Sequence, residues 1–234
     1  MKAKLLYPLV CALAALGACA KQEPAGETPA PAADTPIDVP AGSYTLDKAH
    51  ASLLFRVDHL GFSNYTARFR QFDAILTFDP ANLAASAVTV TVDPRSLETD
   101  FPDPATLDFN AQLQGEQWLN AAQFRQMTWQ SKTVEVTGPR QMKIHGDLTL
   151  RGVTKPVTLD ATFNGGYAGH PFDPHARIGF SAHGTLQRSD FGMSYGIPEP
   201  GTKMGVSDAV DVIVEAEFSG PPLAGAAAPE GSGS

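Results

Sequence analysis

Cysteine is nearly absent. Cys11 and Cys19 are the only two in 234 residues, and both lie before residue 20. The body of the chain therefore has no disulfide, no cysteine-based metal knuckle and no thiol nucleophile. Positive charge is also scarce. The 17 Lys and Arg stand against 25 Asp and Glu, a net of -8, with no basic cluster beyond the extreme N-terminus. That balance argues against a general nucleic-acid partner and against docking on anionic lipid through charge alone. An uncharged lipid-like ligand stays open. A Gly-rich phosphate loop, a kinase catalytic loop and a GxSxG elbow are all missing. The Asp190-Phe191-Gly192 string thus has no kinase context, and Asp190 is expected to pair with Arg188 or cap a turn.

Apolar runs are short. The one at residues 5–16 follows Lys2 and Lys4 and is too short for a comfortable membrane-spanning helix. A basic start, a short apolar stretch and small residues make a signal-peptide layout. Leu16-Gly17-Ala18-Cys19 resembles a bacterial lipobox, which implies cleavage before Cys19 and its lipidation, palmitate included. Lys21, rather than Asp, implies sorting to the outer membrane by analogy. The expected organisation is a lipoprotein signal peptide over 1–18 and a lipidated Cys with a disordered Pro/Ala tether over 19–41. A folded domain over 42–220 and a flexible tail over 221–234 follow. The tether has few apolar anchors to offset the cost of ordering it.

What is abundant is alternation. Ile144, Leu148 and Leu150 share one parity, and His145, Asp147, Thr149 and Arg151 take the other. Val157, Leu159, Ala161 and Phe163 then alternate with Thr158, Asp160 and Thr162. A period of two with one apolar side predicts strands with one buried face. The two runs form a hairpin with a connection of about six residues, and Pro156 precedes the ladder. The same pattern predicts strands at 43–46, 52–58, 69–78, 88–92, 126–131, 133–137, 178–183 and 210–218. Residues 59–65 read as a turn or short helix. Residues 100–124 break the alternation and read as an excursion with one or two short helices, a cover over one end of the sheet or a ligand lid. The fold class is all-β with about eight or more antiparallel strands, a closed barrel or a two-sheet sandwich.

Several strings are similar to those of the YceI-like family. They are Asp47-Lys48-Ala49-His50-Ala51 with Phe55, His59-Leu60-Gly61-Phe62-Ser63, Phe69, Phe72 and Phe78-Asp79-Pro80, then the segment from Gly146 through Gly152 to Val157, and Arg188-Ser189-Asp190-Phe191-Gly192-Met193. The resemblance spans residues 43–218. It implies a lipocalin-like extended antiparallel β-barrel of about eight strands on the periplasmic side of the envelope. It also implies a non-enzymatic carrier or sequestering role for a long apolar ligand, such as a polyisoprenoid or isoprenoid quinone. The family's basic, His-containing segment with Phe-Phe-Asp is replaced here by Leu107-Asp108-Phe109-Asn110 and Glu116-Gln117-Trp118-Leu119-Asn120, which bears on ligand length and head group.

The expected cavity lining is Phe55, Phe69, Phe72, Phe78, Trp129, Leu148, Leu150, Leu159, Phe163, Phe180, Phe191 and Phe218. Burial of apolar area would supply the affinity. Arg56, Asn64, Tyr65 and Arg68, at or near strand ends, are the candidates for a head group. No catalytic residue, cofactor or metal site is assigned. Two alternatives stay open: a filled-core barrel that binds a protein partner, and an enzyme or metal site built on His170, Asp173, His175 or His183. A homodimer also stays open.

Overall fold

The computed structural model describes residues 38–223. The leader, Cys19, nearly all of the expected tether and most of the tail lie outside the described residues. Ten strands follow in chain order: β1 (Gly42–His59), β2 (Ser63–Phe69), β3 (Phe72–Phe78), β4 (Ala87–Val92), β5 (Leu97–Glu98), β6 (Met127–Val136), β7 (Gln141–Leu150), β8 (Val153–Tyr167), β9 (His175–Gln187) and β10 (Val206–Pro222). The sheet order is β10-β9-β8-β7-β6-β4-β3-β1-β2-β5, and β10 also pairs with β1. Eight strands thus close an antiparallel barrel, as the resemblance implies, and β2 and β5 extend from it. The described helices are one short α-helix, α1 (Phe109–Gln114), and three single 3-10 turns. The packed body reaches beyond 42–220 on both sides. Val39 is buried, Tyr44 donates its hydroxyl to the Pro40 carbonyl at 2.6 Å, and β10 runs to Pro222.

β1 is one long strand where the alternation suggested two. Leu46 pairs with Phe218 and Ala51 with Ala216, so five steps along β1 match two along β10. The Asp47-Lys48-Ala49-His50 string is therefore a bulge. Asp47 pins it, accepting from the Ala49 amide at 3.0 Å and from His50 Nδ1 at 3.1 Å. Across the other edge, β1 pairs with β3 as far as Thr45 and with β2 only from Leu53. Residues 46–52 of that edge carry no ladder, and the sheet divides there. A bulge of this kind re-aims a strand where a barrel must turn. The 59–65 segment holds no helix: residues 60–62 are the tight turn of the β1–β2 hairpin and 63–65 already belong to β2; Leu60 and Gly61 have φ of 59° and 71°.

The β7–β8 hairpin is tighter than expected. Its connection is two residues, Arg151 and Gly152, with φ of 52° and 74°. Two consecutive positive φ values are the signature of the primed turn whose twist matches the flanking strands. Pro156 is already within β8, opposite Asp147. It is tolerated because β8 pairs with β9 only from Asp160 onward, which leaves one edge free at Pro156. β6 likewise replaces two expected strands, with a register shift between Ser131 and Thr133.

The interior holds two apolar clusters. One gathers Tyr44, Phe78, Phe163, Ile178 and Phe218. The other gathers Val92, Met127, Trp129, Leu150, Val157 and Phe191. The Trp129 side chain of β6 lies across β7 at Gly146, and its indole donates to the Val157 carbonyl of β8 at 3.2 Å. Gly146 makes room for it, since a Cβ there would stand 2.6 Å from the indole.

Candidate functional site: an apolar barrel cavity

Inward-facing residues of adjacent strands surround a cavity of about 110 Å³ between the two clusters. β3 supplies Phe72, Ala74, Leu76 and Phe78 by strict alternation; β4 supplies Val88 and Val90. Trp129 and Ile144 form another side, and Leu159, Phe180 and Phe218 complete the aromatic and aliphatic wall. Ser86 is the one side chain of the lining that carries a hydroxyl. Such a wall offers burial and dispersion and almost no directional bonding.

Half of the expected lining borders this space: Phe72, Phe78, Trp129, Leu159, Phe180 and Phe218. The others are placed elsewhere. Phe163 is almost wholly buried and stacks on Phe78 at 5.9 Å between ring centroids, behind the cavity wall. Phe191 and Leu150 are buried in the second cluster, and Leu148 and Phe69 pack against it. Phe55 leans on Phe69 at 5.6 Å. Alternation assigns a residue to the inner face. Whether it then meets a neighbour or open space depends on its height along the barrel. Leu46, Leu53, Leu83 and Met142 also border the cavity, and nothing in their spacing distinguishes them from any other core aliphatic.

The head-group candidates lie on the β1–β2 hairpin. Arg56, Asn64 and Arg68 are exposed and take the parity opposite to Phe55, which turns them from the interior. Arg68 Nε donates to Glu98 at 2.6 Å, which raises the arginine pKa and lowers that of the carboxylate. Tyr65 takes the inward parity, donates to the Thr99 carbonyl at 2.9 Å and packs edge-on against Phe109 of α1.

The 99–126 excursion is tied down at several points. Asn110 accepts from Thr99 at 2.9 Å and 2.6 Å, and Leu119 packs against the second cluster. Arg151 donates to the carbonyls of Glu116, at 2.8 Å, and Trp118. Of the two readings for Asp190, a pair with Arg188 or a turn cap, the pair does not form. Arg188, only 3% exposed, donates to the carbonyls of Ser207, Met193, Tyr195 and Val206 at 2.7–2.9 Å, with its guanidinium 5.3 Å from the Trp118 ring centroid. Burial lowers its pKa, and nearby Asp208 opposes that. Asp190 itself is exposed. The arginine of the RSDFGM string is thus a buried hub of carbonyl contacts, which its spacing does not disclose.

The histidines of 170–183 are not assembled around a common point. Asp173 accepts from Tyr167 at 2.6 Å and from Arg177 at 3.0 Å, and His170 Nδ1 accepts from the Phe172 amide at 3.2 Å. His183 sits mid-strand opposite Asp160 and Ile213. Among the described residues, Asp47, His50 and Glu217 bring their ligand atoms within 4.8 Å of one another. Asp47 is already held there by Arg177 at 2.7 Å.

The family model of the YceI-like domain matches residues 44–218, three-quarters of the chain. The chain belongs to the YceI-like family. Its relatives include a UPF0312 protein of Vibrio cholerae, 35% identical over 184 residues, 78% of this chain and 89% of that protein. Protein YceI of Escherichia coli O157:H7 is 37% identical over 182 residues, 76% of this chain and 86% of its own. Among solved structures, a Campylobacter jejuni YceI protein superposes with a TM-score of 0.58 at 28% identity, covering 70% of this chain and 90% of that one. A polyisoprenoid binding domain from Saccharophagus degradans shares the fold, with a TM-score of 0.52 at 15% identity, over 76% and 98%. The YceI-like assignment agrees with the barrel and with its apolar, aromatic-bearing cavity.

Proposed function

We propose that the protein sequesters or carries an apolar ligand, an isoprenoid or isoprenoid quinone, with its apolar end inside the barrel. The observation that carries this reading is the cavity wall, apolar on every side except Ser86. A buried apolar cavity of roughly 150 Å³ stays dry and takes up benzene. One of about 110 Å³ accommodates a segment about the size of one isoprene unit, and the rest of a long chain would continue outside or displace side chains. The fold it shares with a polyisoprenoid binding domain supports the same class of ligand. Periplasmic residence, lipidation of Cys19 and attachment to the outer membrane complete the proposal, supported by the leader and the Leu16-Gly17-Ala18-Cys19 string.

The test is organic extraction of the purified protein followed by mass spectrometry, with titration of prenols into the extracted protein. Recovery of an isoprenoid, or saturable prenol binding, is expected. A protein that yields no apolar compound and binds none is a filled-core barrel. Metabolic labelling with palmitate is expected to mark the natural protein and not a Cys19→Ser variant.

A further inference from the structure

The β8–β9 hairpin ends in an apolar tip. His170 and Asp173 exchange both of their backbone hydrogen bonds, at 2.9 Å and 3.0 Å, and leave Pro171 and Phe172 as the turn between them. Phe172 is 96% exposed, more than any other large apolar residue among those described. The tip is nonetheless firmly held. Asp173 accepts from Tyr167 and Arg177, and the Phe172 amide donates to His170. The Leu223 amide donates to the Pro174 carbonyl at 2.6 Å, and its side chain fills the space beside Gly169. Phe172, His170 and Tyr167 form a file of rings with successive centroids 6.3 Å and 5.4 Å apart. Charge is all but missing. From Asn164 to Ala176 the one formally charged side chain is Asp173, and Arg177 pairs with it at 3.0 Å.

This tip lies at the end of the barrel where the chain enters it. Gly42 opens β1 against Pro221, whose ring carbon would stand 2.8 Å from a Cβ there. Pro222 pairs with His175, the first residue of β9 after the tip. Val39, just upstream of β1, is buried, and Cys19 precedes it by twenty positions. Twenty residues span at most about 70 Å. A lipidated Cys19 would thus confine the barrel to a thin layer above the bilayer, where a contact too weak to hold a free protein becomes populated. The other prominent ring, Phe62, is 83% exposed at the far end of the 18-residue β1, roughly 50 Å away, and the Lys203 side chain lies over its neighbour Gly61.

We infer that the Pro171-Phe172 tip inserts into the surface of the bilayer that anchors Cys19, so that the barrel stands on the membrane by the end its N-terminal segment enters. This rests on the lipidation of Cys19 given under the proposed function. Aromatic and other apolar side chains settle at the headgroup level of a bilayer, where the ring leaves water. Such a contact needs no basic patch, so it is open to a chain whose net charge is -8.

The test places the acylated protein on phosphatidylcholine vesicles whose acyl chains carry bromine, a quencher of indole emission. Phe172→Trp and Phe62→Trp put one further indole at each end of the barrel. The emission added by Phe172→Trp is expected to shift to the blue and be quenched, and that added by Phe62→Trp to keep its intensity in unbrominated vesicles. Raised salt should change neither. With the native ring in place, amide exchange over residues 168–173 should slow on the vesicles relative to the unanchored Cys19→Ser chain. Phe172→Asp should cut that protection about tenfold or more, the scale of returning one Phe side chain to water. Its thermal midpoint should match that of the parent, as for other exposed positions, which shows that the barrel is folded. Unquenched Phe172→Trp emission from a vesicle-bound protein would overturn the inference, as would quenching of Phe62→Trp to the same degree. Quenching that needs anionic lipid and vanishes in salt would mark a docking by charge and also overturn it. A protein that takes no palmitate and leaves the vesicles would instead defeat the anchor and the inference together, a case the labelling identifies.

Discussion

Gly146 continues the parity of Ile144, Leu148 and Leu150, yet its contribution is an absence. Its missing Cβ is filled by the Trp129 indole, and a methyl group there would also stand 2.6 Å from the Gln130 carbonyl oxygen. Backbone cannot give way as a side-chain tip can. Gly146→Ala is therefore expected to destabilise the barrel by about 1–3 kcal/mol, the usual cost of overpacking, read as a lower urea midpoint with an unchanged slope. Ionic contacts at the surface make a different prediction. The carboxyls of Asp47, Glu98 and Asp173 are held below their ordinary pKa values, chiefly by hydrogen bonds from His50, Arg68 and Tyr167 respectively. A carboxylate whose folded pKa is depressed adds stability above its unfolded pKa and loses it as pH falls through the folded value. Thermal midpoints should therefore hold from pH 7 to about 5 and fall below about pH 4. His50 works in the opposite direction. Its pKa is raised, again first by the Asp47 hydrogen bond, so its small contribution fades as pH rises through that raised value. At this scale the sequence disclosed which side chains face inward. It could not tell Phe180, on the cavity, from Phe163, behind it, because both share the same strand grammar.

The elements show why some boundaries were hidden. Period-two reading loses phase at a bulge, so β1 and β6 each looked like two strands. Asp47-Lys48-Ala49-His50 adds residues without ending the strand, and only the register reveals it. The β7–β8 turn was obscured differently. Arg151 is a non-glycine residue at positive φ, so only Gly152 signalled the turn, and Pro156 drew the apparent loop too far. The local strain at Arg151 coincides with its bonds to the Glu116 and Trp118 carbonyls. Asn tolerates the left-handed region but is too short to reach them. Arg151→Asn should leave the hairpin intact and loosen the excursion. Amide exchange over residues 109–124 is expected to quicken while that of β7 and β8 stays slow.

For the whole molecule, the antiparallel all-β character was legible in the alternation, but closure entered only through the family resemblance. A sandwich and a barrel use the same inward-outward code, and only the pairing of β1 with β10 decides between them. It runs from Thr45 opposite Ser219 to His59 opposite Val206. Deleting β10 (Val206–Pro222) should therefore leave two open edges and a breached core. No cooperative thermal transition is expected by circular dichroism for that truncation, in contrast to the sigmoidal melt of the full chain.

The seam between the first and last strands also sets an order of events in time. β1 is synthesised first, but one of its barrel neighbours is made last. At ~5–20 residues per second, the ribosome would leave the free edge of β1 waiting for on the order of ten seconds or more. The barrel cannot close in that interval, so the nascent chain remains threadable through a narrow channel until its final strand emerges. A fold that defers its own completion in this way leaves the chain unclosed for as long as it is being made.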